Sequence, residues 1–305
     1  MHSVSRGLFR LAAAVRIRSL LADGRIELVH VNEAHALTAA WLAGAHRKVP
    51  VVSSRRIGFP LQKNPLSRAR YRSAQRFIAN SNNVAQSLID CGISPQRISV
   101  VNEGVEIPSP VQPAERIAAR KKWNIAKDDF LFGCASAFVP EKGQQHAVEA
   151  LAIVQKDFPG TRLLLAGEGR CRSEVQSLAA MLGLEGAVVI PGFVTNMREF
   201  YSALDAFVFP SEFEGLGTAL QAAMVYALPV ISTTRGALGE VVEHGRTALV
   251  AEPNAADFAA AMLRLLRDQT LRRQLSEAGH EEVRRRFSAD RMVDNTLTVY
   301  EKVIS

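Results

Sequence analysis

Short, nearly continuous apolar runs alternate along this chain with longer stretches whose apolar residues recur every three or four positions. The first pattern belongs to strands buried on both faces and the second to helices that cover a sheet, so the alternation predicts parallel sheets. A helical stretch to about Leu21 leads into the apolar run IELVHV (26–31). A helix at about 35–45 and a second strand, VPVVSS (49–54), follow. SRARYRSAQRFIANS (67–81) predicts a helix and then a short strand near Phe77–Asn80. A helix at 82–91 stops at Gly92, and ISVVNEG (98–104) is a further strand. EIPSPVQPAE (106–115), rich in proline and without a period, predicts a linker. The alternation then restarts, with strands at 130–136, 161–166, 187–190, 205–209 and 228–232. Helices at 143–157, 172–182 and 216–226, and a short one before 205, separate them. The chain closes on helices at about 255–267, 270–284 and 288–303. Two such runs split by a linker predict an α/β protein of two domains with a cleft between them.

The amino-terminal stretch MHSVSRGLFRLAAAVRIRSLLADG is basic and amphipathic. Leu8, Leu11, Ala12, Val15 and Leu20 fall on one helical stripe, with Arg6, Arg10, Arg16 and Arg18 mostly elsewhere, which predicts a helix packed on a sheet. A helix lying on a membrane surface is the alternative. The stretch lacks the uninterrupted apolar core and cleavage site of a secretory signal. No apolar run is long enough to cross a bilayer.

Hydrophobic residues make up 48% of the 305 positions and charged residues 22%, which places the chain among folded globular proteins rather than disordered ones. Cys91, Cys134 and Cys171 are scattered without paired spacing, which argues against a metal knuckle or disulfide framework and fits a reducing cytosol. The net charge of +7 is unevenly spread. Between Glu33 and Asp90 there is no acidic residue, while Arg47, Lys48, Arg55, Arg56, Lys63, Arg68, Arg70, Arg72 and Arg76 all fall there. Such a block attracts phosphates. No zinc-finger, ribonucleoprotein or basic-zipper motif accompanies it, so an anionic lipid or a phosphorylated substrate is a better partner than nucleic acid.

In open α/β sheets, ligands sit beyond the carboxyl ends of strands, where helix amino termini offer unpaired N–H groups. Three loops of the second half have suitable composition: FVPEKGQ (138–144), AGEGR (166–170) and SEFEGLGT (211–218). In the third, Gly215 and Gly217 admit a close backbone approach to a ligand and Thr218 adds a hydroxyl. A single glycine of this kind marks a turn and a single lysine is ordinarily solvent-exposed. Three such loops in one domain point to an anion.

PSEFEGLGTALQAAM and LPVIST, together with VPEKG, LLLAGEG, GFV and FYSALDAFVFPS, resemble the retaining glycosyltransferases of family 4. The similarity runs from about Ile26 to near the carboxyl terminus and is strongest in the second half. ELVHVNEAHA, VVSSRRIGFPLQKNPLSRARYRSAQRFIANS and RISVVNEGVE also resemble a subgroup associated with bacterial surface polysaccharides and lipopolysaccharide. The resemblance implies the GT-B fold, two Rossmann-like parallel-sheet domains facing a cleft. Residues 1–110 would form the acceptor-side domain, 111–287 the nucleotide-sugar domain, and 288–305 a helix crossing back to the first.

Carried onto this sequence, the resemblance makes Glu214 a catalytic residue that holds hydroxyls of the donor sugar. His35, within reach of the strand end where the family's histidine position is Asn32, is either a second catalytic residue or a helix-start histidine bonded to backbone. Lys142 and the amides of Gly215, Leu216, Gly217 and Thr218 would bind the diphosphate, and Phe193 and Val194 the base. Glu240 lies where the family carries its usual Pro-Glu glutamate. Arg55, Arg56, Lys63 and Arg68 would meet an anionic glycan or lipid-linked acceptor. The donor is a co-substrate, and neither a cofactor nor a metal is expected. Such an enzyme would be cytoplasmic, with peripheral contact to the anionic inner face of the plasma membrane.

The chain departs from the family pattern at four points. Ala222 replaces the second glutamate, which holds the ribose, and leaves Gln221 beside it as an imperfect substitute. Ala137 replaces the arginine that accompanies the phosphate-binding lysine, and Asn32 replaces a histidine. Met1 enters a helix where relatives open on a strand and a glycine-rich loop, so the first domain is expected to be incomplete, the chain being truncated at its amino terminus, its start misassigned, or its acceptor site remodelled. These departures predict weakened donor binding and keep a second reading open, a degenerate relative that binds nucleotide or glycan without transferring sugar. Another GT-B enzyme, such as a nucleotide-sugar epimerase, lacks the EGLGT context.

Overall fold

A computed structural model describes residues 2–56, 61 and 64–304, with the backbone alone for residues 2–10. The chain divides into two compact units, Met1–Glu103 with Asp290–Ser305, and Gly104–Ala289. Unit 1 holds four strands, β1 (Val29–Val31), β2 (Val51–Arg55), β3 (Arg76–Ala79) and β4 (Ile98–Val100), parallel and in that spatial order. Its helices are α1 (His2–Leu20), α2 (Ala34–Leu42), α3 (Pro65–Arg72) and α4 (Asn82–Asp90).

Unit 2 begins with α5 (Pro113–Lys122) and β5 (Phe130–Ala135), then α6 (Gln144–Val154), β6 (Thr161–Ala166), α7 (Arg172–Met181) and β7 (Val188–Gly192). It continues through α8 (Met197–Ala203), β8 (Ala206–Phe209), α9 (Thr218–Val225), β9 (Val230–Ser232) and β10 (Leu249–Val250) to α10 (Ala255–Arg267) and α11 (Gln269–Arg286). The last helix, α12 (Ala289–Ile304), returns to unit 1. The unit 2 sheet has the order β10-β9-β8-β5-β6-β7, every pair parallel. Both units are therefore Rossmann-like α/β folds.

In unit 1 the period of two along each strand sorts side chains to two cores. Val51, Phe77 and Ala79 pack with Leu37, Val84 and Leu88 on one face of the sheet. Val52, Ile78 and Val101 pack with Val299 and Val303 of α12 on the other. Unit 2 is held by a larger core in which Phe132, Phe200, Phe207, Phe209 and Phe258 are at most 2% exposed. Each such ring contributes about 2–3 kcal/mol by leaving water.

Four expectations change. The strand over 26–31 shrinks to Val29–Val31, because only those residues pair with β2. The linker over 106–115 ends early, since Pro113 is already the first residue of α5. Gln112 and Glu115 cap that helix reciprocally, the Gln112 N–H donating to Glu115 Oε2 at 2.8 Å. β10 adds a sixth strand of two residues that the pattern did not predict. The stripe of α1 is rotated: Ala14 is buried and Ile17 half-buried, and Leu21, just after the helix, is buried, whereas Leu11, Val15 and Leu20 are 57%, 71% and 46% exposed. Ala14 and Ile17 thus form the side of α1 that lies against the rest of unit 1, where its main neighbour is α2. No helix of the described residues is long and apolar enough to cross a membrane.

Candidate functional site

The unit 2 sheet reverses its direction of winding between β5 and β8: from β5 the chain proceeds to β6 and β7 on one side, and from β8 to β9 and β10 on the other. At such a switch point the loops leaving two neighbouring strands part company and open a crevice at their carboxyl ends. Here those loops are 136–143, after β5, and 210–217, after β8. Lys142 sits in the first and Glu214 in the second, and Lys142 Nζ donates to Glu214 Oε1 at 2.5 Å. The side chains keep 19% and 14% of their accessible surface, so the pair is largely withdrawn from water yet open on one side.

The chain holds these two loops tightly. Glu212 N donates to Glu141 O at 2.8 Å, and the buried Ser211 hydroxyl lies 3.2 Å from both Glu141 O and Phe213 O. A Cβ on Gly143 would lie 2.4 Å from Pro210 O, so only glycine lets the loops approach this closely. Gln144, buried at the start of α6, donates to Ser136 Oγ and Ala137 O. Glu214 itself is backed by the turn after β9, where Ala237 N donates to Glu214 O at 3.2 Å and a Cβ on Gly236 would lie 2.3 Å from that same oxygen. Burial pushes the thiol of Cys134, near the end of β5, up to about 12 against its contact with the Ser136 hydroxyl, with Glu214 raising it and Lys142 lowering it to a smaller extent. That thiol is no nucleophile at neutral pH.

Gly217 is the cap residue of α9 and brings no side-chain acceptor to the N–H groups of the first turn. The positive end of that helix therefore adjoins the loop that carries Glu214, with Gly215 half-buried, Leu216 buried and Thr218 exposed at its mouth. Phe193 stands just beyond β7 and is 74% exposed, with Val194 half-buried beside it. Gln221 has moved inward. It is fully buried, and neither Oε1 nor Nε2 finds a partner among the described residues, while Ala222 next to it is half-buried. The AGEGR loop lies against the first loop, Phe138 N donating to Glu168 O at 2.9 Å and Cys171 N to Phe138 O at 3.0 Å.

In unit 1 one cavity brings together His35, Arg55 and Arg56 with Asn32 and Ser54 at the ends of β1 and β2. Arg68 lies apart from them, in a second cavity with Tyr71, Arg72 and Arg97. Lys63 falls outside the described residues. Burial, with Arg70 adding to it, lowers the Arg55 pKa against the opposing influence of Tyr71 and Cys91.

The sequence reading missed His30. Its Nδ1 lies 2.6 Å from Tyr300 Oη on α12, and its Nε2 lies 2.7 Å from Ser54 Oγ on β2. Burial, aided by Arg56, lowers its pKa and favours the neutral ring. A histidine inside the apolar run IELVHV was the available signal. Its partner lies 270 positions away, where no local pattern reaches.

The sequence of residues 115–282 matches the family described as Glycosyl transferases group 1, and residues 2–107 match Glycosyltransferase Family 4. A D-inositol 3-phosphate glycosyltransferase of Geodermatophilus obscurus is 28% identical over 316 residues, covering 95% of this chain and 69% of that protein. The lipopolysaccharide core biosynthesis glycosyltransferase LpsE of Rhizobium meliloti is 28% identical over 230 residues, 74% of this chain and 64% of its own length. The chain spans between 57% and 69% of the length of the first three curated relatives it matches. Among solved structures, Anabaena Alr3699/HepE in complex with UDP and glucose superimposes with a TM-score of 0.84 at 22% identity, covering 96% of this chain and 81% of that one, which establishes the two-domain fold. With more than half of its length inside the first family match, this chain belongs to the glycosyl transferases group 1, with a family 4 domain ahead of that region.

Proposed function

We propose that the protein moves a sugar from a nucleotide-sugar donor to a saccharide or lipid-linked acceptor with retention of configuration, in the synthesis of a cell-surface polysaccharide or lipopolysaccharide. The observation that carries the reading is the Lys142–Glu214 pair at the switch point of unit 2. A cation and a carboxylate that satisfy each other in the free protein are also what a donor needs. Lys142 meets the diphosphate, and Glu214, released, accepts hydroxyls of the sugar. A lysine ammonium and the helix mouth at Gly215–Thr218 stabilise charge as it develops on the leaving diphosphate. Phe193 offers an exposed ring to the base. His35 and Arg55 with Arg56 face the acceptor in unit 1, where the basic block suits an anionic one. The protein acts in the cytoplasm, against the anionic inner face of the membrane, and requires no metal.

Support comes from the family, from the role of LpsE in lipopolysaccharide core biosynthesis and from the UDP and glucose bound by HepE. Ala137 and Ala222 each forgo a charge-assisted contact of the family, worth about 1.5–3 kcal/mol, so donor affinity is expected to be weak. The test is calorimetric titration with UDP- and GDP-sugars, followed by transfer or slow donor hydrolysis and NMR assignment of the product anomer. Activity present in the wild type and lost in Glu214→Ala supports the reading. Absence of binding by any nucleotide sugar at millimolar concentration defeats it and favours the non-catalytic relative. Ala222→Glu with Ala137→Arg should tighten the donor.

A further inference from the structure

At the other end of the unit 1 sheet, where α3 and α4 run out and β3 and β4 begin, lies the cavity that holds Arg68. Its volume of about 280 Å³ is small for a drug-sized ligand and ample for a phosphate group. Arg68, Tyr71 and Arg72 line it from α3 and Arg97 from just before β4, with Leu61 and Ile93 as apolar neighbours. The cavity that faces the acceptor opens instead at the carboxyl ends of β1 and β2.

One of the three guanidinium groups is fixed in place. Arg97 Nη2 donates to both Tyr71 O and Ala74 O, carbonyls at the end of α3, the first at 3.1 Å. Arg97 Cζ lies over the Phe77 ring, 5.7 Å from its centroid. With Nη2 engaged by those carbonyls, Nη1 and Nε have no acceptor among the described residues. Burial lowers the Arg97 pKa, a cost that an anion in contact would offset.

The other two groups have no internal reason to converge. Arg68 and Arg72 stand one helical turn apart on α3, both exposed, and neither forms an ion pair or side-chain hydrogen bond among the described residues. Like charges at that spacing weaken a helix. In unit 2 the same residue type is neutralised: Arg120, Arg162, Arg198 and Arg246 each meet a carboxylate within 3.2 Å. Among the described residues no carboxylate lines this cavity. No acidic residue lies between Glu33 and Asp90, and Asp90 accepts from Gln86 Nε2 at 2.8 Å.

We propose that this cavity is an anion site for the phosphate group of a second ligand, with Arg97 as the fixed donor and Arg68 and Arg72 closing on the oxygens from the helix. Planar guanidinium groups match phosphate oxygens two at a time. Against three of them a phosphomonoester dianion still leaves one positive charge in excess. The assignment is independent of the transfer reaction, since it uses neither the unit 2 loops nor the carboxyl ends of the unit 1 strands. The phosphate is borne either by a soluble molecule or by the headgroup of an anionic lipid.

The test is calorimetric titration of the full chain with inorganic phosphate and glucose 6-phosphate at about 0.15 M ionic strength. Sedimentation with phosphatidylcholine vesicles, lacking or carrying phosphatidylglycerol, is measured alongside. Wild type is expected to bind at least one of these probes, and Arg72→Glu to weaken that binding at least about tenfold. Arg273→Glu, at an exposed position of α11, changes the net charge equally and should leave binding within about twofold. Arg68→Gln, also at an exposed position, serves where Arg72→Glu disturbs folding. Phosphate binding without vesicle retention identifies a soluble ligand. Retention by phosphatidylglycerol vesicles that is lost in Arg72→Glu identifies the lipid headgroup. No binding of any probe by wild type, or equal losses in Arg72→Glu and Arg273→Glu, overturns the proposal. So does phosphate binding that is lost in Lys142→Met and kept in Arg72→Glu, which places the ion at the unit 2 loops.

Discussion

Lys142 Nζ lies 2.5 Å from Glu214 Oε1, joining two loops 72 positions apart at the point where the unit 2 sheet reverses. Because both side chains are mostly buried, removing one strands the charge of the other. A fully buried pair would cost about 3–5 kcal/mol to break, and the remaining access to water brings this to about 2 kcal/mol. Lys142→Met and Glu214→Gln should each destabilise by that amount in urea titrations. The double variant should cost less than their sum by about 1 kcal/mol, measured as the coupling energy of the cycle.

Glu214 is held in place by backbone as well as charge. Gly236 has φ +65°, and a Cβ there would lie 2.3 Å from Glu214 O. Gly245 has a similar φ, +75°, but open space where the Cβ would go. Gly245→Ala should therefore cost only the left-handed strain of about 1–2 kcal/mol. Gly236→Ala should exceed it and displace Glu214, with the donor Kd rising at least tenfold at unchanged far-ultraviolet circular dichroism. Equal effects of the two variants would mean that the contact at Glu214 O does not fix the carboxylate.

What the sequence made legible followed from burial on two faces. Thr161–Ala166 and Ala255–Arg267 lie where periodicity put them, because their apolar residues meet a core on the expected side. α5 was illegible for the opposite reason. Its inward face presents Arg116 and Arg120 to Asp205, which also accepts from Leu131 N, and its Ile117 is 68% exposed. A helix held by guanidinium groups has no apolar stripe to detect. The loops carrying Lys142 and Glu214 were readable as strand ends with glycine. That those residues face one another is a consequence of strand order, which no single motif encodes.

Gln221 is the most expensive polar group in α9, fully buried with both amide atoms unpartnered among the described residues. Leaving such a group unmade costs about 1–3 kcal/mol, and an apolar side chain of similar shape recovers it. Gln221→Met should raise stability by about 1 kcal/mol or more, seen as a higher thermal midpoint. Titration of the same variant with UDP or GDP decides its other role: an unchanged Kd assigns Gln221 to the core alone, and a weaker one makes it a nucleotide contact.

His30 gives the fold a pH dependence whose sign is fixed by its surroundings. Burial first, and Arg56 second, lower its pKa below the ordinary 6.5, so the unfolded chain binds the proton more readily than the folded one. The stability this group contributes is complete above about pH 6.5 and is lost as the pH falls from there toward the lower folded value. Protonation also forces both ring nitrogens to donate, so neither Tyr300 nor Ser54 can any longer donate to the ring. Denaturant midpoints at pH 7.5 and 5.5 should fall further for wild type than for His30→Gln, which has no proton to gain. The carboxylates with lowered pKa, Glu115, Glu281 and Glu282, titrate below this window and do not obscure the difference. An identical fall in both proteins would place the acid sensitivity elsewhere and leave His30 without a titrating role.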